Sequence, residues 1–322
     1  MNALWRRQNL PFLATAFVLV ALYGTFSLMF ENFLSLRVIN NLFINNAHVG
    51  VIAIGMTFVI LSGGIDLSVG SVLAFTTIFI ASLVGHYHVH PAVAIGLALI
   101  VGSLFGAGMG ALIQVYGLPP FLVTLAGMFL ARGLAFVISS ESMGIAHPMY
   151  QALIDFGIPL TRTVTVRSTA LVFLFVFAVA IYLAHFHRFG RNVYAVGGNE
   201  QSALLMGLPV ARTKILVYAV SGLCSALGGV VYTLFTQSGN PLNGLGLELD
   251  AIAAVVIGGT LLSGGVGYVA GTLMGVLIYG TILTAIDFHG RLDSSWQRIA
   301  IGGLLLVFIV LQRVITGRAA RS

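Results

Sequence analysis

Charged residues are scarce in this sequence of 322 residues: Asp, Glu, Lys and Arg make up 7% of it, against 58% for hydrophobic residues. Soluble domains have about 25% charged and about 45–50% apolar residues. The composition therefore excludes a soluble domain and predicts an integral membrane protein. The apolar runs are long and continuous, which favours an all-α polytopic protein over a barrel, whose strands would alternate polar and apolar residues.

Cysteine and lysine each occur once, as Cys224 and Lys214. A single cysteine excludes an internal disulfide and a cysteine metal cluster. The lysine follows Thr213 and does not lie in a G-x-x-x-x-G-K-[ST] phosphate loop. Any nucleotide chemistry therefore belongs to another chain, although Leu61–Gly64 spells the Leu-Ser-Gly-Gly signature of ATP-binding-cassette ATPases.

The formal net charge is +6, but the basic residues lie at the ends of apolar segments without interleaved aromatic residues. This pattern argues against nucleic acid binding and indicates orientation in a bilayer. The positive-inside rule places nine basic residues in the cytoplasm and five outside, so we expect both termini to be cytoplasmic. The nine are Arg6, Arg7, Arg188, Arg191, Arg212, Lys214, Arg313, Arg318 and Arg321, and the five are Arg37, Arg162, Arg167, Arg291 and Arg298.

At about 20 residues per span, the sequence predicts about ten transmembrane helices in one domain over residues 1–322. The first is too long for a signal peptide, so we expect it to be retained. The second begins among asparagines and the eighth has about 13 residues, so both are predicted to be broken or to reach half the membrane depth. The predicted segments are 10–30, 42–61, 67–85, 91–115, 119–139, 168–186, 214–236, 250–262, 268–288 and 296–316.

A polar, glycine-rich break, Leu61–Ser71, interrupts the apolar sequence and is echoed by Leu262–Thr272. Two copies predict two repeats, over about residues 40–140 and 214–316, in parallel or inverted orientation. Interrupted hydrophobic segments at corresponding places are the best sequence indication of a transporter's substrate site. Small residues also recur at every fourth position, as at Gly102, Gly106 and Gly110, which favours close helix packing.

Asp66 is an acid that lies between two strongly apolar segments. It can cap the helix that follows, line or gate a pathway, or couple transport to protons. Arg132, the one cation that lies well inside a predicted span rather than near its end, is either its buried partner or a residue at an interface.

Amides and acids precede both breaks, and this suits a hydroxyl-rich solute that needs many hydrogen-bond donors and acceptors. The alternative is a solvated loop at each place. We predict that the translocation pathway includes Asn45, Asn46, Thr57, Ser62, Asp66, Ser68, Gln237, Asn240, Asp250 and Ser263.

Two loops are long enough to contact partner proteins. The outer one, residues 140–167, is polar. The inner one, residues 187–213, contains a predicted short amphipathic helix over Asn199–Met206, with Asn199 as its N-cap and Gly207 followed by Pro209 as its stop. An exposed helix on the cytoplasmic face needs a partner for Ala203, Leu204 and Met206.

Enzyme chemistry has little support in the sequence. His86, His88 and His90 alternate as metal ligands can, but no carboxylate is near, so we favour an ordinary loop and no metal. No Ser/His/Asp set, carboxylate pair or Cys/His cluster has a spacing that supports catalysis.

Four stretches, Gly55–Ser71, Arg188–Arg191, Tyr194–Asn199 and Leu249–Thr260, closely resemble the sugar permeases of bacterial ABC importers of the ribose, xylose and galactofuranose type. The resemblance covers about residues 10–316. Within the family the chain looks most like a galactofuranose permease, because Val266 replaces the basic residue that ribose-type members usually carry there.

The resemblance implies a multi-pass importer subunit of the bacterial inner membrane that passes a monosaccharide across it and has no cofactor of its own. Its implied partners are a second permease in a hetero- or homodimer, a periplasmic sugar-binding protein and a cytoplasmic ABC ATPase that binds ATP and Mg. Residues 187–213 would form the coupling loop, with Arg191, Gly198, Asn199, Glu200, Ala203, Met206 and Gly207 contacting the ATPase.

Two alternatives stay open. A secondary sugar carrier driven by protons through Asp66 would work without an ATPase, although no further acid lies deep within a predicted span. An intramembrane enzyme that uses the outer histidines is less favoured.

Overall fold

The computed structural model of the protein describes residues 10–290, 292 and 294–319, which form a bundle of α-helices with two short β-ribbons. The chain termini and four of the basic residues used for orientation, Arg6, Arg7, Arg291 and Arg321, lie outside the described residues. The helices are α1 Leu10–Met29, α2 Leu36–Asn45, α3 Ala47–Leu61, α4 Val69–Ala81, α5 Pro91–Val115, α6 Pro120–Ile138, α7 Pro148–Asp155, α8 Ser168–His185, α9 Arg188–Gly198, α10 Glu200–Leu205, α11 Val210–Thr236, α12 Leu247–Ile257, α13 Val269–His289 and α14 Ser294–Ala319.

All ten predicted apolar segments are helical, so the predicted all-α class is confirmed. The count of ten complete spans is not, because seven helices in the described part of the chain are long and apolar enough to cross a membrane, or eight if a bent pair counts as one span. One of the seven is α4, which a π-helical turn over Ser82–His86 extends to 18 residues. The short eighth segment explains part of the difference: α12 has 11 residues and is about 16 Å long.

The second predicted segment is broken, as expected. Helices α2 and α3 meet at an angle of 58°. Asn46 lies at the joint, where its Nδ2 donates to the carbonyl oxygen of Leu42 at 2.9 Å. An asparagine that bonds the preceding turn satisfies a carbonyl where the helix ladder is interrupted.

Small residues set the closest helix contact, in which α11 packs along α5. A Cβ added to Gly102 would lie 2.9 Å from the carbonyl oxygen of Gly222, and one added to Gly110 would lie 2.9 Å from the Cα of Ile215. The glycine stripe of α5 therefore lets two backbones approach each other, which confirms the packing interpretation.

The predicted outer loop contains secondary structure of its own. The strands are β1 Met143–Gly144, β2 Gly157–Thr161, β3 Val164–Arg167 and β4 Ser238–Gly239; β1 pairs with β4 and β2 with β3, both antiparallel. Ile145 donates to the Gln237 carbonyl at 2.8 Å, and Asn40 donates to the Thr165 carbonyl at 3.0 Å. These contacts gather the β-ribbons at one end of the bundle, which we call the ribbon end.

From the ribbon end, residues 237–246 run along α4 toward α12. Thr77 contacts Asn240 and Asn243, and an added Cβ on Gly70, two turns earlier on α4, would lie 2.6 Å from Glu248. The polar run before the second break is therefore packed between helices over part of its length.

Candidate functional site

The two breaks meet each other at the opposite end of the bundle. The Gly265 amide donates to the Leu61 carbonyl at 2.9 Å. A Cβ added to Gly264 would lie 2.9 Å from the Cα of Gly63. The two glycine-rich segments, about 200 residues apart in sequence, thus touch backbone to backbone, and the lack of a side chain at Gly264 permits the close approach to Gly63.

The end of α9 completes this contact, which we call the glycine junction: Leu61, Gly63, Gly197, Gly264 and Gly265. A Cβ added to Gly197 would lie 2.7 Å from the Gly265 nitrogen and 2.8 Å from the Leu61 carbonyl carbon. The segment that leads into α10 therefore rests directly on both breaks.

Tyr194 holds α9 to the second break as well. Its hydroxyl donates to the Gly267 carbonyl at 2.8 Å. Burial, and to a lesser extent the neighbouring Tyr268, raises the pKa of Tyr194 to about 12, so the hydroxyl keeps its proton at neutral pH. Tyr194 can therefore donate this hydrogen bond to the Gly267 carbonyl at neutral pH.

Asp66 is buried in the first break, with 1% of its surface exposed. Its Oδ1 accepts from the Ser68 amide at 2.9 Å and from the Ser68 hydroxyl at 2.6 Å, and its Oδ2 accepts from the Ser221 hydroxyl at 2.7 Å. The carboxylate thus caps the start of α4 and ties it to α11. This geometry supports the capping role among those predicted.

Arg132 is not the partner of Asp66, and the hypothesis that pairs them is wrong. Its Nη1 donates to the carbonyl oxygens of Pro241 and, at 2.7 Å, Asn243. The guanidinium therefore binds two backbone carbonyls that lie outside the helices and β-ribbons.

Three further predicted pathway residues form packing contacts. Thr57 lies in α3, is fully buried, and its Oγ1 is 2.7 Å from that of Thr272 in α13. Asp250 accepts from the Tyr279 hydroxyl at 3.1 Å. Asn46 packs against Gly280. Each joins a helix beside one break to α13 or to a neighbouring turn.

A polar cavity of about 260 Å³ lies beside the glycine junction. Ser62, Gly63 and Tyr218 line one part of it, and Glu200 and Lys214 line another. Ser62 itself is directed back to its own helix, because its hydroxyl donates to the Val59 carbonyl at 2.8 Å. Ser263, by contrast, is exposed.

The predicted coupling helix is present over Glu200–Leu205. Asn199 is its N-cap and accepts from the Ser202 amide at 2.8 Å, while Gly207 takes a left-handed conformation at φ 75° that ends it. Both predicted signals are confirmed. Glu200 and Lys214 form an ion pair at 2.6 Å that ties the helix to the start of α11.

The face that this helix presents differs from the predicted one. Ala203 is fully buried against Val196 and Val210 of its own chain, so the prediction that it needs an external partner is wrong. Leu205 is 89% exposed and Leu204 and Met206 are about two-thirds exposed. Arg191, Gly198 and Asn199 are exposed nearby.

At the ribbon end, a second cavity of about 310 Å³ brings together Asn45, which precedes the first break in the sequence, and Gln237, which precedes the second. Asn240 lies apart from it, where its Oδ1 accepts from the Leu242 amide at 2.8 Å. Some of the predicted pathway residues therefore line one of two cavities, and others form packing contacts between helices.

Sequence reasoning missed Gly197 and Ser221. The Gly-Gly pair at 197–198 was visible, but nothing local indicates that its first member touches both breaks. Ser221 belongs to the small-residue stripe of α11 and gives no sign that it binds an acid 155 residues away. Among the described residues, no three His, Cys, Asp or Glu side chains are grouped to hold a metal.

Comparison with known proteins is informative over most of the chain. Residues 38–310 match the family model described as "Branched-chain amino acid transport system / permease component". The chain is 50% identical over 310 residues to the inner membrane ABC transporter permease protein YjfF of Escherichia coli K12, covering 96% of this chain and 94% of the relative.

Two other relatives are named for sugars. The ribose import permease protein RbsC of Bacillus subtilis 168 is 40% identical, covering 94% of this chain and 92% of the relative. The fructose import permease protein FruG of Bifidobacterium longum NCC 2705 is 36% identical, covering 96% and 92%. No solved structure matches the chain. These relatives are permeases, which confirms the expectation that the chain is not itself an enzyme.

Proposed function

Because the chain belongs to the family of permease components described above, we propose that it is the membrane-spanning subunit of an ATP-driven importer for a monosaccharide. The observation that carries this proposal is the glycine junction, where the segment leading into an exposed cytoplasmic helix rests on both breaks. The sugar assignment draws on relatives named for ribose, fructose and L-arabinose.

Galactofuranose is the sugar we favour. Its support is the sequence resemblance discussed above, including Val266 in the second break. This part of the proposal is separate from the importer function, and a different sugar would leave that function intact.

The partners follow from the division of labour in such importers. An ATPase binds ATP and Mg and docks on the exposed Leu204 and Leu205 of α10 and on Met206, which follows the helix. A sugar-binding protein docks at the ribbon end, where Phe156, Ile158 and Leu160 are 51–60% exposed around β2. A second permease completes the membrane-spanning part of the importer. Both termini of the chain lie on the cytoplasmic side of the inner membrane.

Coupling begins at α10. Closure of the ATPases pushes on the exposed leucines and methionine, and the buried Ala203 keeps α10 attached to α9 and α11 during that movement. Since α10 follows α9 after a single residue, Asn199, displacement of α10 moves Gly197 as well.

The glycine junction then transmits the movement to both repeats. Gly197 contacts Leu61 in one break and Gly265 in the other, while Tyr194 holds the second break through Gly267. A displacement of α9 therefore changes the contacts of both breaks at once. Coupling requires such differential contacts between two states.

The direct test is to purify the tagged chain with its partners from native membranes and to reconstitute the complex in liposomes. Uptake of labelled ribose, fructose, L-arabinose and galactofuranose is then measured. We expect uptake of one sugar only with ATP at the ATPase face and the binding protein on the other. Uptake driven by a pH gradient without ATP would refute the importer, and preference for another sugar would refute galactofuranose alone.

A further inference from the structure

The cavity at the ribbon end has two buried hydroxyl groups with no partner. It is formed by residues of α2, α7, α8 and α11. Ser168 and Thr169 line it with 7% and 6% of their surfaces exposed, and neither hydroxyl oxygen has a hydrogen-bond partner within the described part of the chain. Buried polar groups are normally paired, so these two call for an explanation.

Their place in the fold explains why the protein does not satisfy them. Ser168 and Thr169 are the first two residues of α8. A serine or threonine inside a helix can donate to a carbonyl one turn earlier, as Thr213 does to Pro209 at 2.8 Å. At the start of α8 there is no earlier helical turn, so both hydroxyls are left without an acceptor in their own helix.

The rest of the lining fits a sugar. Asn41, Asn45 and Gln237 supply amide donors and acceptors, and Arg167 supplies donors at the mouth. Phe235, which is 53% exposed, offers an apolar ring to the C–H face of a sugar. The volume of about 310 Å³ lies at the lower end of the roughly 300–1,000 Å³ found for small-molecule sites.

We propose that this cavity is a receiving site for a neutral monosaccharide, which binds Ser168 and Thr169 after the binding protein releases it. The inference rests on the proposed function and adds to it a place and a set of residues. The mixture of hydroxyl, amide and guanidinium groups matches the alternating donors and acceptors of a polyol. A sugar acid would engage chiefly Arg167, and the test distinguishes it.

The test uses the reconstituted importer carrying Ser168→Ala and Thr169→Val together. These changes remove both hydroxyls and keep the side-chain sizes close. The matched control is Thr281→Val in α13, because Thr281 is also fully buried with an unpartnered hydroxyl but lies outside this cavity. Both proteins are compared with the wild type for uptake of the sugar that the wild type imports.

We expect the double variant to take up limiting sugar about five- to tenfold more slowly, and the control to match the wild type. Saturation-transfer NMR of the permease–ATPase complex with that sugar should lose its signal in the double variant only. Stimulation of ATP hydrolysis by the binding protein should be unchanged.

Other results would overturn the inference. Unchanged uptake and NMR signal in the double variant would mean that the cavity does not bind sugar. Loss of stimulation by the binding protein would mean that the cavity seats a polypeptide. Binding of a sugar acid alone would assign another ligand. Absence of any sugar uptake by the wild type would instead refute the proposed function, and the control separates both cases from a general packing defect.

Discussion

Gly197→Ala should disconnect the coupling helix from the two breaks. The added Cβ would lie 2.7 Å from Gly265 N and 2.8 Å from the carbonyl carbon of Leu61, and nearer still to the Leu61 oxygen, whereas ordinary contacts begin at 3.4 Å. The neighbours are backbone atoms that cannot rotate away. α9 must therefore shift by more than half an ångström, at an overpacking cost of about 1–3 kcal/mol.

Gly198→Ala is the matched control. Gly198 is the next residue, is exposed, and an added Cβ there would meet nothing within 4 Å. Both substitutions favour the helical conformation by similar small amounts, so this effect cancels in the comparison. The difference between the two variants isolates the contact at the glycine junction.

The assay measures sugar uptake and ATP hydrolysis in proteoliposomes, together with thermal unfolding in detergent. We expect Gly197→Ala to unfold at a lower temperature and to hydrolyse ATP with uptake per ATP reduced about tenfold, while Gly198→Ala matches the wild type. Equal uptake per ATP in the two variants would refute the coupling role of the junction. Equal unfolding temperatures would refute the packing argument.

Three further changes probe other contacts. Asp66→Asn keeps an acceptor for the cap and should retain uptake. Asp66→Leu leaves buried donors unpaired and should lower the free energy of unfolding by about 2–4 kcal/mol. Loss of uptake by folded Asp66→Asn would instead support a pathway role. Glu200→Arg repels Lys214 and should uncouple ATP hydrolysis from uptake. The protein should stay folded, because a partly exposed ion pair contributes only about 0–1 kcal/mol to stability. Normal uptake would contradict the coupling assignment. Arg132→Met removes the donor to two carbonyls and should destabilise the protein by about 2–4 kcal/mol, so an unchanged unfolding temperature would show that these bonds are dispensable.

Local signals in the sequence were reliable. The lengths of the apolar runs predicted where the helices lie, the asparagines at 45–46 predicted the bend, and the Asn199 and Gly207 pair predicted the coupling helix. These features depend on the transfer of side chains into lipid, on capping and on the freedom of glycine, and each acts within a few residues. The sequence also determined the class of protein, since so few charges are compatible only with a bilayer.

Contacts between distant residues required the tertiary structure. Asp66 finds Ser221 across 155 positions, Arg132 binds the segment near Pro241, and Gly197 touches both breaks. Asn45 and Gln237, which precede different breaks in the sequence, share one cavity with Ser168 and Thr169. Composition and spacing cannot predict such meetings, because they depend on how whole helices pack. The sequence determined that the helices break at glycines, and only their packing decided that the breaks meet beneath the coupling helix.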